Sequence, residues 1–447
     1  MNSYINPGLG ILLISCMLAV ALQILSYIQK RFSPNPEIIR KALHLTMGIV
    51  SLSFPFLFQR AWPVILVAVL SIVLMTAIKK SPFFTAWKNV VFKTERASWG
   101  EICFPVSIAL LFCLSHKDPL LYAIPVMTLT LADAGSALIG KQYGVLTYHT
   151  ADGAKSTEGS VTFFTLAFLS AHIPLLLFSS IGRYECLAIG LILGVIAMFF
   201  EAIAWSGLDN LFIPLGTYLV LKSHLSLSAG SLSIRLIVLV FVFFFTMLFK
   251  RRTTLNGSAV IGVALFAYYS WVLGGLTWLF MPLILFFTYR KLMPQRYRKD
   301  MSKHTIYAVI SVSSVGLIWL IYNSFLPSGA LFYPYTLGFA IHASIISIAH
   351  MTGAHLNKER IMIIMLATLK SWLLLFIPFM IFKGLNQTTL IDVTFAPAII
   401  ILFTLIFYFY SPNRLAVEPG QSAKRWLREA ICAAAGSACG LIPWFTS

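Results

Sequence analysis

Runs of about twenty apolar residues follow one another almost from end to end of this chain, and that succession restricts its fold more than any other feature. A bilayer core about 30 Å thick takes roughly 20 apolar residues per helical crossing. Sixteen candidate crossings can be read: near 7–28, 42–59, 61–78, 100–115, 119–138, 160–180, 186–204, 212–221, 232–249, 257–272, 274–289, 305–325, 335–351, 361–382, 393–410 and 430–446. Only 11% of the 447 residues are charged and the mean hydropathy is +0.85, whereas soluble chains carry about 25% charged residues. The expected fold is therefore all-α, a polytopic transmembrane helical bundle of about 16 helices in two halves. The first run lacks a basic leader and a small-residue cleavage site, so it is expected to be a retained helix.

A net charge of +18 in a soluble protein would suggest nucleic acid, but here the placement of the charge speaks for topology. Threading the sixteen crossings puts 26 of the 33 Lys and Arg on one side, which marks that side as cytoplasmic with both termini outside. No nucleic-acid partner is expected; membrane lipids are. The six cysteines form neither a Cys-x-x-Cys pair nor a Cys/His cluster. Acidic residues are concentrated in the first half, where Asp133, Asp152, Glu158, Glu201 and Asp209 fall within one stretch. A seam near Lys250, Arg251 and Arg252 divides the chain into expected domains 1–249 and 250–447.

The stretch Leu131 to Ser160, LADAGSALIGKQYGVLTYHTADGAKSTEGS, is the richest in chemistry. Asp133 sits near the end of an apolar helix, where an ionisable group is costly and so is usually paired or functional. Ala137, Gly140 and Gly144 follow at helical spacing, a stripe that suits either close helix packing or the approach of a ligand. Lys141, Lys155, Ser156, Glu158 and Gly159 add cations, a hydroxyl, a carboxylate and flexible backbone. These are the groups a triphosphate and its Mg²⁺ need, although no Walker A loop is present.

The pattern Asp-Ala-x-x-Ala-x-x-x-Gly-Lys-x-x-Gly (Asp133 to Gly144) followed by Lys-Ser-x-Glu-Gly-Ser (Lys155 to Ser160) resembles the nucleotide-binding signature of the CTP-dependent phytol and dolichol kinases, relatives of phosphatidate cytidylyltransferases. Arg40-Lys41-Ala42-Leu43-His44-x-x-x-Gly48 resembles a second element of that family. Glu201 with Gly207-Leu208-Asp209-Asn210-x-x-x-Pro214 resembles a third, and Arg96 to Pro105 (RASWGEICFP) a fourth. The resemblance covers roughly residues 35 to 220. It implies transfer of the γ-phosphoryl group of CTP, or a related nucleotide, to a membrane-dissolved prenol, polyprenol or phytol-like alcohol at the cytoplasmic face. Asp133, Glu158, Glu201 and Asp209 would share the Mg²⁺ and base roles. Arg40, Lys41, His44, Gly140, Lys141, Gly144, Lys155, Ser156, Gly159 and Asn210 would bind nucleotide and phosphate.

A cytidylyltransferase acting on a lipid phosphate would use the same residues, and a lipid transporter would also suit sixteen crossings. The ionisable residues cluster at one membrane face, whereas transporters hold substrate near the midplane. From Thr253 the chain resembles the opening of the phytyl-phosphate kinase-like membrane family. Where that family carries an Asp-Thr-x-x-Ser-Glu segment, His342 to Thr352 (HASIISIAHMT) has neither acid. The second half is therefore expected to hold lipid or serve structure, with its remaining acids, Glu429 included, in loops or at helix ends.

Overall fold

The computed structural model describes residues 6–81, 99–115, 118–150, 153–249, 255–288, 305–353, 360–410 and 423–441, with isolated positions between 84 and 90. Arg96 to Ser98, Asp152, the Lys250 to Arg252 seam, Asp300, Glu359 and Glu418 lie outside the described residues. The chain forms two units, Met1–Leu239 and Val240–Ser447, each described by itself.

The first unit contains α1 (Pro7–Phe32), α2 (Pro36–Leu52), α3 (Ala61–Lys80), α4 (Gly100–Leu114), α5 (Pro119–Tyr143), α6 (Thr157–Phe178), α7 (Arg183–Ile203) and α8 (Asp209–His224). The helix α9 (Ala229–Phe249) runs across the division between the units. The second unit continues with α10 (Gly257–Gly274), α11 (Leu276–Thr288), α12 (Ile306–Phe325), α13 (Phe332–Gly353), α14 (Arg360–Lys383), α15 (Gln387–Tyr410) and α16 (Ala423–Cys439). Each of the sixteen apolar runs has become a helix. Eleven described helices are long and apolar enough to cross a membrane, as a polytopic membrane bundle requires.

Local chemistry sets the helix starts. Asn6, Asn35 and Asp118 each precede a proline at the first helical position, and each side chain accepts a hydrogen bond from the exposed backbone N–H groups of the first turn. Ser156 caps α6 in the same way by accepting from Gly159 N at 3.1 Å. The expected loop 139–159 is more ordered than its composition suggests: an antiparallel ribbon pairs Thr147–Thr150 with Gly153–Ser156 and sets Tyr148 opposite Lys155.

In the first unit α5 is central, lying against α2, α6 and α8. It is not a uniform helix, because Thr128–Ala132 forms a π-helical turn immediately before Asp133. An inserted π turn shifts the helix register and changes the face on which the following residues project. Thr130 of that turn sits so close to Gly48 of α2 that a Cβ on Gly48 would lie 2.0 Å from its hydroxyl oxygen. Gly48 thus lets α2 and α5 approach within reach of a short side-chain contact. Valine at position 48 should cost about 1–3 kcal/mol through overpacking, read as a lower melting temperature in detergent with helical content retained.

In the second unit α13 is the core. Its residues 332–348 are all buried, and the helix lies against α11, α12, α14, α15 and α16. Trp278, Trp319, Phe332, Tyr335, Phe339, Phe376 and Phe379 dominate the surrounding cluster.

Candidate functional site

Two lysine–carboxylate pairs anchor a polar cluster at one end of the first unit. Lys41, on the first turns of α2, places its Nζ 2.5 Å from Oδ1 of Asp133, and both side chains are buried. The contact exists because the Gly48–Thr130 approach brings α2 onto α5 and the π turn ends at Asp133. One turn on from Arg40, His44 lays its Nε2 3.5 Å from the other carboxylate oxygen, Oδ2, without a hydrogen bond. The imidazole meets Phe104 of α4 edge to face at 5.1 Å.

The second pair is built by the ribbon. Lys155 extends across to the end of α7, where Nζ lies 2.6 Å from Glu201 Oε1 and also donates to the Glu201 carbonyl. Burial works against the charge on Lys155, but the adjacent Glu201 carboxylate outweighs it and holds the ammonium above the usual lysine range.

Asp209 completes the cluster from the first turn of α8. One carboxylate oxygen from each of Asp133, Glu201 and Asp209 lies within 4.8 Å of the others. This is the one group of three metal-capable side chains found among the described residues. Glu201 Oε2 and Asp209 Oδ1 are buried without hydrogen-bond partners. Buried carboxylate oxygens that face one another without donors are the setting that a hard divalent cation satisfies. The donor set therefore fits Mg²⁺.

The remaining sequence-predicted residues divide by position. Asn210 donates from Nδ2 to the carbonyl of Gly100 at 3.1 Å, and Trp99 N donates to Ser206 O at 2.7 Å. Two motifs a hundred residues apart in sequence, Gly100 to Pro105 and Gly207 to Asn210, are thereby joined at the start of α4 and α8. Arg40 is engaged by Glu37 at 2.6 Å. Gly140, Gly144 and Gly159 lie against one another and Ser156, so the small-residue stripe seats the end of α5 on the start of α6. Ser156 Oγ donates to the Gly140 carbonyl at 3.4 Å. Glu158 does not join the other three carboxylates; its Oε1 accepts from Leu146 N at 3.2 Å and ties down the ribbon. Lys141 is exposed.

A small apolar cleft adjoins the cluster. Met47, Val50, Ser51 and Phe54 line it from the α2 side, Val64, Val67, Ala68 and Ser71 from α3, and Phe104, Pro105 and Ile108 from α4, with Leu18 of α1. Phe104 is shared between the cleft and His44, so polar and apolar compartments meet at that ring.

The sequence reading missed one buried ionisable pair. His342 and Glu429 meet inside the second unit at 3.0 Å, and Glu429 lies within α16, fully buried, contrary to its expected place in a loop or at a helix end. The correction has a physical reason: Lys424, Arg425 and Arg428 make the start of α16 read as a loop, while Trp426, Glu429, Ala433 and Gly436 fall at helical spacing on one buried face. That spacing was the available signal.

No protein-family model, curated protein or solved structure matches the chain.

Proposed function

We propose that the first unit is an integral membrane lipid-alcohol kinase that transfers the γ-phosphoryl group of CTP, or a related nucleotide, to a prenol-like alcohol dissolved in the bilayer. The observation that carries this reading is the juxtaposition of three mutually facing carboxylates, the buried Lys41, the half-buried Lys155 and an apolar cleft on one side of His44. Phosphoryl transfer demands little covalent chemistry from a protein. It demands cations around the phosphates, a held metal and an oriented hydroxyl. Asp133, Glu201 and Asp209 would hold Mg²⁺, which when bound supplies charge neutralisation for the phosphate chain.

Lys41 and Lys155 neutralise Asp133 and Glu201 in the protein alone, and they are the cations closest to any phosphate brought to those carboxylates. The alcohol chain would occupy the cleft along α2, with its hydroxyl at the polar end beside His44. There the unpartnered Nε2 of His44 and the carboxylates are the groups able to receive the hydroxyl proton. The resemblance to phytol and dolichol kinases supplies CTP as the donor. The bias of Lys and Arg supplies the orientation, with the site on the cytoplasmic face and both termini outside.

Purified protein incubated with Mg²⁺, CTP or ATP and a panel of lipid alcohols should yield a product heavier than the alcohol by one phosphate. A product heavier by CMP from a lipid phosphate would instead identify a cytidylyltransferase. No nucleotide-dependent product from any lipid, with the protein folded, would overturn both.

A further inference from the structure

Lys41 and Lys155 each neutralise a carboxylate of the cluster, but the fold holds them in different ways. Lys41 comes from the first turns of α2, and its side chain is 8% exposed against Asp133. Lys155 comes from the two-stranded ribbon, and its side chain is 24% exposed. Thr147, Gly153 and Ala154 of the ribbon are exposed, while Tyr148 and Lys155, paired across the two strands, are only half-buried. A lysine stem turns about several single bonds, so Lys155 can leave Glu201 by a movement of its own side chain. Lys41 is enclosed where α2 meets α5.

The contacts of Lys155 are those a bound cation makes. Its ammonium donates to Glu201 Oε1 at 2.6 Å and also to the Glu201 backbone carbonyl. That carbonyl belongs to the last turn of α7, where helix carbonyls lack intrahelical partners and the helix dipole is negative. Glu201 is satisfied on one side only, because its Oε2 is buried without a hydrogen-bond partner, as is Asp209 Oδ1. The charge balance follows. Three carboxylates against two ammonium groups leave at most one uncompensated negative charge. Ligand charge sets how tightly a carboxylate site takes a hard divalent cation. With Lys155 in place the site is poor in charge, and with Lys155 withdrawn it matches a divalent cation.

We propose that Lys155 is a displaceable counter-ion, which takes the place of a divalent cation at Glu201 until the phosphates of a nucleotide draw its ammonium away, so that cation and nucleotide enter the site together. The inference rests on the reading of Asp133, Glu201 and Asp209 as a divalent-cation site that serves a nucleotide. Lys155 exchanges its two acceptors on Glu201 for phosphate oxygens, and Glu201 is freed as a ligand at the moment a phosphate arrives. Lys41 stays on Asp133. The protein alone is thereby closed to free divalent cations, and the ribbon is the element that couples the two ligands.

The test uses the full chain in maltoside micelles with Mn²⁺ as the probe, read by the enhancement of water-proton relaxation relative to the same mixture without protein. Wild type should give little enhancement with Mn²⁺ alone and a strong one once CTP is added. Lys155→Met should bind Mn²⁺ without nucleotide at least about tenfold more tightly than wild type, since a positive charge has been removed beside the cation site. Lys155→Arg, which restores the charge, should stay as weak as wild type with Mn²⁺ alone. Adding Glu201→Gln to Lys155→Met should remove the gain, which places it at Glu201. Equal Mn²⁺ affinity of wild type and Lys155→Met overturns the proposal, and so does wild-type Mn²⁺ binding that CTP does not strengthen. The wild-type comparison needs no variant, so misfolding of a variant leaves the test decisive. Relaxation reports binding and not turnover: a chain that shows this coupling but phosphorylates no alcohol would refute the kinase reading and uphold the role of Lys155.

Discussion

Asparagine in place of Asp133 should abolish nucleotide-dependent phosphorylation of a lipid alcohol, with turnover down by about a thousandfold or more, the scale set by removing a key electrostatic group from a reacting centre. Lys155→Ala should do the same. Asp133 is the carboxylate that meets Lys41, faces His44 and lies beside Glu201 and Asp209, so its charge acts on the other carboxylates of the cluster. Lys155 comes from a different element, the ribbon, and reaches a different carboxylate. The two substitutions therefore test one site from opposite sides. The measurement is product formation by mass, alongside gel filtration in detergent to show that each variant remains folded. Retained turnover in both would remove the site assignment, whatever the activity of the chain turned out to be.

The second large effect is on stability. Lys41→Met should destabilise the first unit by about 3–5 kcal/mol, because it leaves Asp133 buried without its counter-ion. Asp133→Asn combined with Lys41→Met should recover much of that loss, since neither partner is then charged. A double-mutant cycle on melting temperature in detergent reads the coupling directly. Additive losses would mean that the two groups do not form a buried pair. The cycle requires no substrate, so it tests the geometry of the cluster independently of the kinase proposal. Together with the effect of valine at Gly48, it also asks whether the approach of α2 to α5 sets the position of Asp133.

The helices were legible because bilayer chemistry is written in composition. An apolar run must satisfy its own backbone hydrogen bonds, so each of the sixteen runs became a helix. The structure adds the caps, where Asn-Pro and Asp-Pro before an apolar run combine a side-chain acceptor with a residue that needs no N–H partner. Asp133 and Glu201 stood out in sequence as carboxylates at the ends of apolar segments, an expensive position, and Asp209 through the resemblance of Gly207 to Pro214. Glu158 was read into the same metal set, yet it ties down backbone at the ribbon, because the Leu146 N–H donor lay within its reach. The glycines at 140 and 144 fitted a ligand approach and a helix seam alike; the structure shows them packed against one another, Ser156 and Gly159.

What the sequence determined by itself was the solvent, the helix count and the small set of groups able to do chemistry, because each follows from local composition or from the cost of burying a charge. Tertiary structure alone decided the pairings. Which lysine meets which carboxylate depends on a π turn that re-aims Asp133 and on a ribbon that carries Lys155 to the end of α7. Which carboxylate joins which histidine in the second unit depends on α16 lying against α13 across some ninety residues of chain. Contacts of that separation leave no local trace in an apolar chain, where nearly every residue that could surround a polar group looks the same.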